Sequence, residues 1–201
     1  MSAGNKTNRH GSDATRVLIS PALHGGKKNR SRHSSLPNSF GKWIAADGAL
    51  DVRADLTFRQ VIAASKNDEH LEWRDRRKIQ INDKHATDNI SHFLHRLNYS
   101  CYRSAYKRYG KRIKVSSAIQ GGVSSLRNER GTKRLHAHLL LEKPNHIGFD
   151  EFRDAILENW LSTKWGYEEH NIEMIDSLSG SAAYQVRDSV LSFDIQNTDL
   201  V

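Results

Sequence analysis

The segment that most constrains this chain is Leu135-His136-Ala137-His138-Leu139-Leu140-Leu141. Leu135, Ala137 and Leu139 alternate with His136 and His138, the period of two that a β-strand requires and a helix cannot use. One face of that strand is apolar and must be buried. The other carries two imidazoles side by side. A strand of this kind needs hydrogen-bonded neighbours and an apolar cover, so the chain has to form a sheet backed by helices. The 201 residues, 37% of them hydrophobic, suffice for one such domain with a tail.

Further elements follow from the same patterning. Val52 to Gln60 alternates Ala54, Leu56 and Phe58 with Asp55, Thr57 and Arg59, predicting a strand. Residues 61–84 are polar and charged, a loop with some helical character. Ile90, Phe93, Leu94, Leu97, Cys101 and Ala105 fall at helical spacing, predicting a helix from Ala86 to Tyr109 capped by Thr87 or Asp88 and ended by Gly110. Strands are expected at Arg112–Gln120, Val123–Glu129, Lys133–Leu141 and Asn171–Ile175, with a turn at Gly131-Thr132. Helices are expected at Phe149–Lys164 and Ser179–Val190, the latter entered through Ser177 or Ser179. The order β–α–β–β–β–α–β–α predicts an α+β fold. It has a single antiparallel sheet of about five strands with flanking helices, in the ferredoxin-like or RRM-like style.

Charge is distributed unevenly. The net charge of +8 divides into +6 over residues 1–36, +10 over 37–141 and −8 over 142–201. The first segment is rich in Gly, Ser, Asn and His with little apolar periodicity, so residues 1–40 read as a disordered basic arm and residues 41–201 as the folded domain. The arm is either a solubilising leader or a DNA-contacting element. No apolar run approaches the ~20 residues of a membrane span, no secretory signal pattern follows the N-terminal basic residues, and the one cysteine, Cys101, excludes an internal disulfide. These features predict an intracellular, cytoplasmic protein with no membrane partner. The positive balance points to a polyanion.

Two imidazoles projecting from one strand face form a bidentate platform for a divalent ion. Glu129, seven residues before His136 and across the expected turn, either adds an oxygen ligand or is a solvated carboxylate beside Arg127 and Arg130. Two nitrogens, a carboxylate and open positions suit Mg²⁺ or Mn²⁺ bound to a phosphate oxygen. Tyr184 lies on a helix surface thinned by Ala182 and Ala183, with Arg187 one turn on. A phenol of ordinary pKa ~10 needs a polarised phosphate and a nearby cation to act as a nucleophile; otherwise Tyr184 is a core residue. Arg103, Lys107, Arg108, Lys111, Arg112 and Lys114 come without an acid. They interleave with Tyr99, Tyr102, Tyr106 and Tyr109, which share one helical stripe. The cations suit the phosphates of single-stranded DNA; the rings either stack on bases or pack on the sheet.

His136-Ala137-His138 in an apolar strand, followed by Tyr184-Gln185-Val186-Arg187 on a helix, resembles the HUH endonuclease superfamily, and within it the single-tyrosine rolling-circle replication initiators of plasmids and phages. Leu56-Thr57-Phe58-Arg59 stands where that family has its first strand motif, and Arg59 joins the expected DNA-binding set. Glu129-Arg130-Gly131 before His136 resembles the arrangement of parvoviral replication proteins, in which the Glu is a ligand. The resemblance spans residues 52–190. It implies a metal-dependent nickase and strand transferase: His136, His138 and Glu129 hold Mg²⁺ or Mn²⁺, and Tyr184 attacks single-stranded origin DNA. The products would be a 5′-phosphotyrosine and a 3′-OH for rolling-circle replication.

Two departures stand out. Arg187 replaces the family's lysine; it keeps the charge but cannot donate a proton. The sequence holds no Gly-x-x-x-x-Gly-Lys-Ser/Thr loop, so unwinding and synthesis are expected from a separate helicase and the host polymerase. The rival expectations are a transposase or relaxase of the same superfamily and a non-catalytic RRM-like module that binds single-stranded nucleic acid.

Overall fold

The computed structural model describes residues 35–47, 50–65, 70–122, 134–186 and 192–200. Four antiparallel strands make the main sheet, in the order β4-β5-β1-β6: β4 is Val115–Gln120, β5 His136–Leu141, β1 Val52–Phe58 and β6 Gly166–Met174. The fold is α+β, as the patterning predicts. Among the described residues it comprises six strands in two sheets and five helices. The expected strand Val123–Glu129 and its turn lie outside the described residues.

The alternation in β1 does what period two demands. Val52, Ala54, Leu56 and Phe58 are buried, while Arg53, Asp55 and Thr57 face the opposite side, half-buried. On the apolar face they meet α2 (Asp83–Tyr102) and α4 (Phe149–Leu161). Trp160 is the centre of this core, edge-on to Phe58 at 5.1 Å and to Phe93 at 5.6 Å. The second face carries a smaller cluster of Ile44, Leu50, Leu140 and Ala182, contributed in part by α1 (Ser35–Asp47) and α5 (Leu178–Gln185). That cluster covers only the Leu140 end of the face; polar residues occupy the rest.

Several expectations need correction. Residues 61–84 are not a simple loop: β2 (Val61–Ala63) and β3 (Lys78–Gln80) pair as a separate antiparallel ribbon, with a 3-10 turn at Trp73–Asp75. Its strands are three residues long, too short for alternation to register. The long helix starts earlier than Ala86, because Asn82, not Thr87 or Asp88, caps it by accepting from the His85 N–H at 2.9 Å. It is also broken at Arg103, where the backbone turns to φ 49°, giving α2 and the short α3 (Ser104–Tyr109). Gly110 ends α3 in the left-handed region at φ 65°, as expected. The final strand runs from Gly166, longer than Asn171–Ile175. The expected boundary at residues 40/41 falls inside α1, which tolerates Pro37 because a first-turn residue has no helical N–H partner to lose. Residues 1–34 lie outside the described residues.

Each sheet edge is managed differently. Along β4, the segment 192–200 forms bridges at Val115↔Asp199 and Ala118↔Phe193. β6 is an edge of the sheet and carries Glu168, Glu169 and Glu173, charges that disfavour pairing with another chain.

Candidate active site

Register assembles the site. Residues directly opposite one another in antiparallel strands project to the same face. Asp55 of β1 lies opposite His138 of β5, and Thr57 opposite His136. Across the other edge of β5, Gln120 lies opposite His136 and Ala118 opposite His138. The two histidines therefore share the polar face with a carboxylate on one side and an amide on the other. Their rings are 4.6 Å apart and nearly perpendicular. His138 is buried; His136 is half-buried.

Hydrogen bonds fix the imidazoles. His136 Nδ1 lies 2.8 Å from the Arg134 carbonyl and must donate to it. His138 Nδ1 lies 2.5 Å from Asp55 Oδ1, which as a carboxylate can only accept. Both rings thereby carry a proton on Nδ1, the tautomer in which Nε2 keeps its lone pair. The carboxylate–histidine arrangement is the one that orients metal-binding imidazoles. His138 Nε2 in turn faces Gln120 Oε1 at 3.2 Å. The Gln120 amide nitrogen is committed to the carbonyl of Gln185 at 2.5 Å and that of Tyr184 at 3.5 Å, so its oxygen must face the imidazole. Two electron-rich atoms meet there, a contact satisfied by a proton on Nε2 or by a cation.

Among the described residues no three His, Cys, Asp or Glu side chains converge as a metal set. The Gln120 amide oxygen stands against His138 Nε2, and His136 lies beside His138 on the same face, opposite Gln120 in the strand register. This mixed nitrogen and oxygen set fits a divalent ion such as Mg²⁺ or Mn²⁺. Glu129 and Arg187 lie outside the described residues.

Tyr184 reaches the same place from α5. Its ring stands perpendicular to that of His138 with centroids 5.3 Å apart, and the side chain is 37% exposed. It is therefore not a core residue. Arg53 lies 5.8 Å from the Tyr184 ring centroid and is itself paired with Asp55 at 3.2 Å and Glu173 at 3.1 Å. Ser177 starts α5 by accepting from the Gly180 N–H. Gln185, fully buried, locks the other end. Its amide donates to the carbonyls of Ser116 at 3.0 Å and His138 at 2.8 Å, and its oxygen accepts from the Ser116 hydroxyl at 2.8 Å. Behind α5, α1 approaches so closely at Gly41 that a Cβ there would lie 2.3 Å from the Ser179 carbonyl oxygen. The nucleophile candidate is thus pinned to the histidine strand from two sides.

In front of the histidines is an open cleft of about 640 Å³, lined by Asp55, Thr57, Arg134, Glu169, His170 and Asn171 besides the two imidazoles. Arg134 is tied to Glu169 at 3.1 Å across its rim.

The expected DNA-binding residues divide. Arg59 is exposed at the end of β1 nearest His136. Arg103, Lys107, Arg108, Lys111 and Arg112 are exposed and Lys114 half-buried, all at the opposite end of the sheet, where Val115 pairs with Leu141. The length of β4 separates the two ends, about 17 Å at ~3.4 Å per residue. The tyrosine stripe also divides. Tyr102 is buried, Tyr106 half-buried and bonded through its hydroxyl to His95 at 2.8 Å, while Tyr99 and Tyr109 are exposed at 42% and 81%. Burial, with Glu142 and Cys101 nearby, pushes the Tyr102 phenol up to about 12, which disqualifies it as a nucleophile. Burial likewise pushes the Cys101 thiol up to about 11.

Sequence reasoning missed Asp55, Gln120 and Gln185. Asp55 shows as an outward residue of an alternating strand, but only register places it against His138. No family profile, curated protein or solved structure matches this chain, so its chemistry rests on this geometry and on the motif resemblance.

Proposed function

We propose that this protein is a metal-dependent single-strand DNA nickase and strand transferase of the HUH type, acting as a rolling-circle replication initiator. The observation that carries the reading is the perpendicular contact of Tyr184 with His138, beside His136, on one polar face of the sheet. A tyrosine remote in sequence from the histidine pair, and singled out with it by motif order, is brought against that pair by the fold.

The Tyr184 oxygen attacks a backbone phosphorus brought up to the two imidazoles. The phosphorus–O3′ bond breaks, the phenol proton passes to solvent, and the departing 3′ oxygen takes up a proton. The products are a 5′-phosphotyrosyl enzyme and a 3′-OH able to prime synthesis. Because the ester is retained covalently, the reverse attack by a 3′-OH rejoins strands without ATP. His136, His138 and Gln120 are the residues to hold Mg²⁺ or Mn²⁺, which when bound supplies Lewis-acid polarisation of the phosphate. Asp55 keeps His138 in its ligating tautomer. Arg53 supplies positive charge beside the phenol, a role expected also of Arg187. Arg59 and the cations of α3 contact the strand backbone, and Glu129 remains a further candidate ligand. Unwinding and extension fall to a separate helicase and the host polymerase.

The test uses a 3′-labelled pool of random-sequence single strands with Mn²⁺. The expected result is a labelled protein band that survives denaturation and disappears in Tyr184→Phe. An adduct that persists in Tyr184→Phe overturns the nucleophile assignment. No adduct with any strand overturns the class and leaves a binding module in its place.

A further inference from the structure

The β2–β3 ribbon holds a tryptophan in water. Trp73 is 50% exposed at the 3-10 turn between the strands; Leu71, two residues before it, is 36% exposed, and Val61 at the root of β2 is 38% exposed. This exposure is built, not frayed. The turn is closed by the Asp75 N–H donating to the Glu72 carbonyl at 2.8 Å and by Arg76 Nε donating to the Leu71 carbonyl at 2.7 Å. Ile62, Ile79 and Ile81 root the ribbon in the main core. One cation lies over the ring, with Lys78 Nζ 5.0 Å from its centroid; Arg74, 3.8 Å from Asp75, and Arg77 are exposed nearby in sequence. Between residues 70 and 80 four basic residues face two acids, Glu72 and Asp75.

The root of the ribbon fixes where it stands. Gln60 accepts from the Leu135 N–H at 3.0 Å, and Leu135 immediately precedes His136. The ribbon therefore emerges at the cleft end of the sheet, the end of Thr57, Arg59 and His136. It is the end opposite the α3 cations.

We propose that the β2–β3 ribbon is a single-stranded nucleic-acid arm flanking the cleft, with Trp73 stacking on a base and Arg74, Arg77 and Lys78 contacting phosphates. An aromatic face among cations is the combination that grips single strands without sequence preference. The position beside the cleft rests on the nicking reading; binding by the arm does not.

Fluorescence anisotropy of labelled oligothymidylate, with no metal added, tests the arm separately from cleavage. Trp73→Ala should bind about tenfold more weakly, the loss of roughly one stacked base. Trp73→Phe should stay within about threefold of the parent, because a smaller ring still stacks. Replacing Arg74, Arg77 and Lys78 together by Gln should lower the salt slope by about 2, at ~0.7 per phosphate. Unchanged affinity in Trp73→Ala at every oligomer length overturns the arm. So does an equal loss in Trp73→Ala on oligomers made wholly of abasic residues, which have no base to stack. If the Tyr184 adduct forms while Trp73→Ala binds normally, only the arm is lost. If no adduct forms while Trp73→Ala binds weakly, the arm stands and the nickase falls.

Discussion

His138 is held between two acceptor oxygens, one facing each of its ring nitrogens. Asp55 requires a proton on Nδ1, and Gln120 turns an oxygen toward Nε2. Removing the carboxylate frees the ring to rotate or change tautomer without touching the ligating atom. Asp55→Ala should therefore weaken Mn²⁺ binding by about 10- to 100-fold, measured by titration calorimetry, while the circular dichroism spectrum is kept. An unchanged affinity would show that Asp55 does not orient the imidazole. At this scale the sequence is unevenly legible. The His pair and Tyr184 stand out because their spacing is local. Asp55, Gln120 and Gln185 do not, because each acts across strands and only register reveals its partner.

Among the elements, the junction of α2 and α3 carries the clearest local strain. Arg103 adopts φ 49° and ψ −121°, a conformation suited to glycine, and is the one non-glycine residue with positive φ among the described residues. Such a residue costs on the order of 1–3 kcal/mol, and glycine returns part of the relief as lost chain entropy. Arg103→Gly should raise unfolding stability by about 1 kcal/mol, read from the midpoint of urea denaturation at unchanged slope. A fall in stability would mean that the arginine side chain contributes more than its backbone costs. The hydrophobic periodicity of Ile90 to Ala105 runs unbroken through this junction, so the sequence shows one helix where the backbone makes two. The opposite error concerns α1. The boundary expected at residues 40/41 falls inside a continuous helix, in which Pro37 occupies the first turn and Gly41 is a helix contact made necessary by the Ser179 carbonyl. The helices around Phe93 and Trp160 and the strands β1 and β5 are legible because burial on one face imposes their period. The β2–β3 ribbon is not, since its three-residue strands pair mainly with each other.

Over the whole molecule the charge is arranged by position in space as well as along the chain. Cations stand at both ends of the sheet: the ribbon and Arg59 at the cleft end, and α3 at the other. The acids of β6 line one edge between them. A strand that touches both ends must cover at least the ~17 Å length of β4, about five stacked nucleotides at ~3.4 Å each. Replacing Lys107, Arg108 and Lys111 together by Gln should lower the salt slope for a 25-nucleotide strand by about 2 and leave that of a 4-nucleotide strand unchanged. Equal slopes for the long strand would remove α3 from the binding surface.

The contact of Gly41 with Ser179 joins nearly the two extremes of the described chain. Contacts so far apart in sequence are slow to close, because the loop entropy comes before the reward. The histidine strand and its neighbour β1 can pair once residue 141 has been made, but Tyr184 has no seat until α5 finds α1. The histidine pair can thus take its place in the sheet before Tyr184 is brought against it, so the two parts of the site form in separate steps of folding.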